Sequence, residues 1–304
     1  MRAVRFHDYG DASVLTVDDD VEAPHAGPGQ VRIAVRAAGV NPMDWKFRSG
    51  VMRDYLPLEL PAIPGGEAAG VVDEIGEGVE GVAIGDEVFG LVGLHAGYAE
   101  SAVLFSWAAK PAAWTWAQAA GAGAVVETAT RALDEVGYAD GDTLLVNGAA
   151  GGVGTATVQI ARARGSRVIG TASEGNHQLL RDLGAEPVTY GKGLPERVAA
   201  LVPEGVDVVL DAVGKGSLEE LVALVESPTK VITVAHPDAG DLGVLYSTGE
   251  APTGAYGLAV VAKLADDGAY TVPVHATFAL YQAGEAHRIS EAGHLSGKLI
   301  LVTG

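Results

Sequence analysis

The spacing of apolar positions changes character three times along the chain, and the predicted elements follow those changes. Residues 30–39 (QVRIAVRAAG) alternate, with Val31, Ile33 and Val35 on one face, which predicts a strand. Residues 1–6, 67–72, 85–90 and 95–103 read as further short strands separated by glycine turns, and close spacing of this kind predicts a barrel-like β domain. Asn41-Pro42 opens a turn, and the residues after it have room for one or two helical turns. Near Pro111 the pattern becomes helical over 116–122 and 125–136, where Glu127 and Arg131 stand four apart on one face.

From Thr143 the pattern alternates between strand and helix. Leu144 to Val146 lead into a glycine cluster, Gly148, Gly151, Gly152 and Gly154, with Val153 just past the turn. A helical run through Ala156, Val158, Ile160 and Ala161 then leads to a second strand at 167–170. A buried-type strand at 206–210 ending on Asp211, a helix at 217–225, strands at 230–235 and 242–246 and a helix at 254–267 continue the series. This order predicts an α/β fold with a doubly wound parallel sheet. A strand at 270–274, a helix at 280–292 and a strand at 298–302 read as a return to the first domain. The division predicted is 1–114 with 268–304 for the β domain, and 115–267 for the α/β domain.

The glycines carry the first chemical signal. A phosphate group placed at the first turn of a helix meets unpaired N–H groups and the positive end of the helix dipole. Gly151 is the point of closest approach in this reading, and Gly154 lets the helix pack on the strand. Ala149 stands where a GxGxxG pattern has its first glycine, so the literal fingerprint is broken, while the order strand, turn, helix, strand is kept.

Composition narrows the field. The chain has 304 residues, 48% of them hydrophobic, enough for two domains with a sizeable core. A formal charge of −19 argues against nucleic acid and against an anionic membrane surface, so a phosphate site must be built from backbone amides or local cations. With no cysteine, disulfides, thiolate nucleophiles and Cys-ligated zinc are excluded. The eight histidines show no tight ligand spacing, so no metal is expected. The start MRAVRFHDYGD has no signal-peptide core, and a cytoplasmic location is the expectation.

Taken together, NPMDWK at 41–46, PGGEAAGVV at 64–72, GDEVFG at 85–90, GAAGGVG at 148–154, TAS at 171–173 and AHR…GHLSGKLIL from 286 to 301 give the chain a resemblance that runs nearly end to end. It resembles the zinc-free quinone oxidoreductase branch of the medium-chain dehydrogenase/reductase superfamily. The resemblance implies a GroES-like β-barrel domain interrupted by a Rossmann domain, an active site in the cleft between them, and a homodimer. It implies hydride transfer from NADPH to a small-molecule quinone or α,β-unsaturated carbonyl. A pathway-specific enoyl or polyketide-tailoring reductase and a non-catalytic NADPH-binding sensor are the alternatives. Zinc members carry Cys and His where this chain has Asp44 and Gly66.

The resemblance also places site residues. Asn41 is implied at the nicotinamide and substrate, although an Asn-Pro turn former satisfies the same pattern. Asp44 takes the vacated ligand position and either holds Lys46, shapes the pocket or caps a helical turn. Lys46 is a candidate oxyanion donor or a solvated surface residue, and Tyr55 a substitute for a tyrosine that many relatives have nearby. Glu67 matches an acid of structural role, and Thr128 matches a cofactor-contacting threonine. Around the cofactor stand Ala150, Gly151, Gly152 and Val153 of the turn, Asp211 and Val213 after one strand, and Ala235 and His236 after the next. Ser173 ends the second strand where NAD enzymes have an acid, and with Arg181 and His177 it favours NADPH; Glu174, one place further on, keeps NADH open as the lesser choice.

Overall fold

The computed structural model describes residues 1–92, 96–214, 216, 218–249 and 252–303. Several positions expected to form elements or substrate loops, namely Gly93, Leu94, His95, Ser217, Glu250 and Ala251, lie outside the described residues. The chain divides into two compact units. Unit 1 comprises 1–124, 258–266 and 271–304; unit 2 comprises 125–257 and 267–270.

Unit 1 begins with the hairpin of β1 (Ala3–Phe6) and β2 (Leu15–Asp18). Strand β3 (Val31–Val40) follows, then helix α1 (Pro42–Ser49), β4 (Glu67–Ile75), β5 (Glu87–Leu91), β6 (Ser101–Leu104), β7 (Ser106–Ala109) and α2 (Trp116–Ala120). Helix α3 (Gly123–Glu135) carries the chain into unit 2.

Unit 2 continues through β8 (Thr143–Asn147), α4 (Gly152–Ala163), β9 (Arg167–Ala172), α5 (His177–Asp182), β10 (Glu186–Thr189), α6 (Leu194–Leu201), β11 (Val208–Asp211), α7 (Leu218–Val222), β12 (Val231–Thr233) and β13 (Leu245–Tyr246). After α8 (Gly257–Asp266), unit 1 is completed by β14 (Val274–Ala279), α9 (Ala283–Ala292) and β15 (Lys298–Val302).

The sheet of unit 1 runs β14-β15-β3-β4-β5-β7, with β6 added against β3. Val31 and Ile33 are fully buried, as their alternation requires, and lie in one cluster with Val72, Leu104, Leu299 and Leu301. The tail does return to this unit: β15 pairs antiparallel with the last residues of β3 and parallel with β14. The division after Ala124 falls later than the change of texture suggests, because α2 packs on β3, β4, β5 and β15. The strand expected at 270–274 lies at Val274–Ala279, beyond Pro273, which cannot donate to a ladder.

Unit 2 is a six-stranded parallel sheet in the order β10-β9-β8-β11-β12-β13. Numbered within the unit, this is 3-2-1-4-5-6, the doubly wound order with its switch point between β8 and β11. Ligands of such sheets sit beyond the carboxyl ends of the strands at that switch point, which is where the glycine turn and the Asp211 loop lie.

Candidate active site

The turn after β8 is shaped by contacts as close as glycine allows. Gly148 has φ +81°, and a Cβ at Gly154 would lie 2.2 Å from the Gly148 carbonyl oxygen, so α4 reaches its packing distance only without a side chain there. Gly151, the N-cap of α4, differs. Its φ of −75° suits any residue, and a Cβ would meet only the Gly148 oxygen, at 3.5 Å. Protein packing does not demand glycine at 151. The space is a cradle beside the first N–H groups of α4, Gly152 to Gly154, which have no intrahelical partner.

A buried chain of hydrogen bonds ties this turn to the sheet. Gly148 N–H donates to Thr171 Oγ1 at 2.9 Å, and the Thr171 hydroxyl donates to Asn147 Oδ1 at 2.7 Å. Asn147 Nδ2 donates to Asp211 Oδ1 at 2.9 Å, and Thr233 Oγ1 donates to Asp211 Oδ2 at 2.7 Å. The backbone N–H groups of Val213 and Gly214 also donate to Asp211. The chain therefore crosses the carboxyl ends of β9, β8, β11 and β12. Asp211, expected at the cofactor, is buried and taken up by these internal donors; its neighbour Val213 is the exposed member of the pair. Asn147 and Thr233 have no sequence signal beyond being polar residues at the ends of apolar strands, and Thr171 is marked only as the first residue of the TAS motif.

The remaining cofactor candidates sit at the same ends. Ala150 is buried, while Gly151, Gly152 and Val153 are half-buried. Ser173 follows β9 with its hydroxyl exposed, accepting from Asn176 Nδ2 at 3.2 Å, and the exposed Glu174 lies in the next turn. Arg181 is exposed on α5, and its guanidinium has no hydrogen-bond or ion-pair partner among the described residues. His177 Nε2 and His236 Nδ1 are buried atoms without a partner among the described residues; His177 follows Ser173 by four residues and His236 directly follows Ala235. Orphaned nitrogens, free helix-start amides and the cradle at Gly151 together fit a nicotinamide dinucleotide. Thr128 is half-buried on α3. On the same helix the Glu127–Arg131 pair expected from sequence forms at 2.9 Å, buried, and holds Ser247 through Arg131 Nη1 and Gly254 N–H through Glu127.

Unit 1 holds two buried polar clusters. In the first, Asp44 is 3% exposed; its Oδ2 accepts from Asn41 N–H and from the Tyr98 hydroxyl, each at 2.8 Å. His287 Nε2 lies 3.2 Å from the Tyr98 hydroxyl oxygen. Burial pushes the Asp44 carboxyl up to about 7 and the Tyr98 phenol higher still. Burial, with Arg48 nearby, pushes His287 down to about 3. Of the three roles open to Asp44, the cap on α1 is formed and the pairing with Lys46 is not: Lys46 is half-buried over the Trp45 ring, and desolvation lowers its pKa. Tyr55 stands 81% exposed in the turn after α1.

The second cluster was only half visible in the sequence. Lys298, at the start of β15, is buried; its Nζ donates to Asn41 Oδ1 at 2.5 Å and to Glu67 Oε1 at 2.8 Å. Asn41 Nδ2 donates to the same Glu67 oxygen at 2.8 Å, and Ala124 N–H donates to Glu67 Oε2 at 2.8 Å. Glycine at 39 is required by this carboxylate, since a Cβ there would lie 2.2 Å from Glu67 Oε1. Among the described residues, no group of three His, Asp or Glu side chains is arranged to hold a metal ion. Nor is any helix long and apolar enough to cross a membrane.

Residues 27–128 match the family Alcohol dehydrogenase GroES-like domain, and residues 152–247 match the family Zinc-binding dehydrogenase. The chain is 37% identical over 241 residues to the quinone oxidoreductase of Rattus norvegicus, a match covering 77% of this chain and 73% of that one. It is 35% identical over 263 residues to the 2-methylene-furan-3-one reductase of Solanum lycopersicum, covering 82% of this chain and 66% of that protein. The Escherichia coli quinone oxidoreductase solved in complex with NADPH superposes with a TM-score of 0.84 at 26% identity, over the full length of both chains. On these matches the chain belongs to the quinone oxidoreductase branch of the medium-chain dehydrogenase/reductase superfamily.

Proposed function

We propose that the protein is an NADPH-dependent, zinc-independent oxidoreductase that passes a hydride to a quinone or an α,β-unsaturated carbonyl. The observation that carries the reading is the space at Gly151, which packing leaves open beside the free amides at the start of α4 and which suits a pyrophosphate. The rat and tomato relatives, named for a quinone and an enone substrate, support the two acceptor classes.

NADPH, when bound, supplies a hydride from C4 of its nicotinamide. The acceptor takes that hydride with its electron pair, negative charge gathers on the conjugated oxygen, and water delivers the balancing proton. The chain's own contribution is to align the two partners and to present donors to the oxygen as its charge grows. In unit 2, the amides at the start of α4 hold the pyrophosphate, and Ser173 and Arg181 take the 2′-phosphate, with His177 beside them. A neutral residue at the end of β9 and an unpaired arginine on α5 support NADPH over NADH. In unit 1, Asn41 is the donor to the acceptor oxygen, with Lys46 and Tyr55 as the further polar groups of the substrate site. The tight engagement of Asp44 with Tyr98 and Asn41 supports chemistry without zinc. Two copies would pair through β13, one of the two edge strands of the six-stranded sheet, in a cytoplasmic homodimer.

The test is the consumption of NADPH and of NADH with quinones and with a simple enone, followed by the same assay on Arg181→Gln. Loss of one charged contact to the 2′-phosphate is expected to raise KM for NADPH by roughly 10-fold and leave NADH unchanged.

A further inference from the structure

The side-chain amide of Asn41 can be oriented without ambiguity. An ammonium group only donates, and Lys298 Nζ lies 2.5 Å from one terminal atom of the amide. A carboxylate only accepts, and Glu67 Oε1 lies 2.8 Å from the other. Reversing the amide would set an NH₂ group against an ammonium and a carbonyl against a carboxylate. The oxygen is therefore committed to Lys298, and one of the two N–H bonds is committed to Glu67.

The other groups of the cluster are also committed. The contacts of Lys298 Nζ are Asn41 Oδ1, Glu67 Oε1 and, at 3.5 Å, the Val40 carbonyl. The Glu67 oxygens receive Asn41, Lys298 and Ala124. Glu67 and Lys298 are buried, whereas Asn41 is half-buried. The second N–H of Asn41 has no partner among the described residues and belongs to the most accessible of the three side chains.

We propose that Lys298 is a positioning residue that fixes the sense of the Asn41 amide, so that its free N–H, and not its carbonyl, meets the substrate oxygen that gains charge during reduction. This rests on the reductase reading above. With the lysine gone and Glu67 made neutral, nothing opposes turning the amide oxygen outward, and an acceptor would then face the developing oxyanion.

The test is a double-mutant cycle read in kcat. Asn41→Ala should lower kcat for 9,10-phenanthrenequinone about 100-fold, as expected for loss of one oxyanion donor, with the dissociation constant for NADPH unchanged. Asn41→Asp, which keeps an acceptor for Lys298 but has no N–H, should lose as much. Lys298→Met with Glu67→Gln removes both charges together and so leaves none buried alone. That pair should lower kcat about 10-fold or more in the wild-type background and have no further effect on top of Asn41→Ala. Equal losses in both backgrounds would overturn the proposal, and so would wild-type kcat in both Asn41 variants, whatever the lysine variant does. A wild type that reduces no acceptor would instead overturn the reductase reading itself.

Discussion

The Tyr98 hydroxyl donates to Asp44 Oδ2 at 2.8 Å across 54 residues of sequence, and His287 closes the chain from α9. Three segments of unit 1 are thereby held through one buried phenol. Replacing Tyr98 with Phe should destabilise the protein by about 1–3 kcal/mol, the cost of removing one of the two donors to a buried carboxyl oxygen. The loss should depend on pH. Asp44 is raised by burial to about 7, so its contribution to stability is full below its unfolded value and is lost as pH rises through about 7. The tyrosine supports the ionised form, so urea unfolding should show a larger deficit for Tyr98→Phe near about pH 8 than near about pH 5. An equal deficit at both would argue that Asp44 does not titrate in this range.

His287 should act in the opposite direction. Burial holds it down to about 3 against an ordinary value of 6.5, so its contribution is present above 6.5 and is lost as pH falls from there through about 3. Thermal melts of His287→Gln should start from a lower stability at neutral pH, because the bond to Tyr98 is weakened. They should then decline less steeply than wild type on acidification. Parallel curves for the two proteins would contradict a neutral buried histidine.

Gly151 and Gly154 are three residues apart and should respond differently to alanine. At 154 the added Cβ collides with the Gly148 carbonyl, so Gly154→Ala should lower Tm and cofactor affinity together. At 151 the backbone and the surrounding protein accept a Cβ, so Gly151→Ala should fold with Tm little changed, the gain of about 0.4–1 kcal/mol from a less flexible unfolded chain being offset by the poorer N-cap that alanine makes. Its affinity for NADPH should still fall by roughly 10-fold or more, since the methyl group fills the cradle. Tm and fluorescence-detected NADPH binding on the two variants check this contrast.

Thr171 both accepts from the Gly148 amide and donates to Asn147. Thr171→Val keeps the shape and removes both bonds, so it should cost about 1–3 kcal/mol in urea unfolding and weaken NADPH binding. Thr171→Ser, which keeps the hydroxyl, should restore most of the binding. Failure of serine to restore it would mean that the methyl group, not the hydrogen bonds, matters at this position.

How much of this could be read from the sequence depended on the distance over which each signal acts. The alternation in β3, the glycine turn with α4, the Glu127–Arg131 pair and the final strand from Lys298 to Val302 are local patterns, and each forms where expected. Helix α5, strand β10 and helix α6 gave no clear pattern because they are short, and Pro187 disguises β10, which tolerates it as an edge strand. The partners of Lys298 were out of reach for a different reason. Asn41 and Glu67 lie 257 and 231 residues away, and only the return of β15 beside β3 brings the lysine to them. Asp211 was marked by its place at a strand end, but the internal partners of its side chain, Asn147, Thr233 and the loop backbone, were not legible there.

The most direct test of the account is the loss of NADPH absorbance with 9,10-phenanthrenequinone, 1,4-benzoquinone and a simple enone, run beside NADH. Turnover of a quinone or the enone, with higher kcat/KM for NADPH than for NADH, is the predicted result. Tight binding of NADPH with no consumption in the presence of any of these acceptors would contradict it.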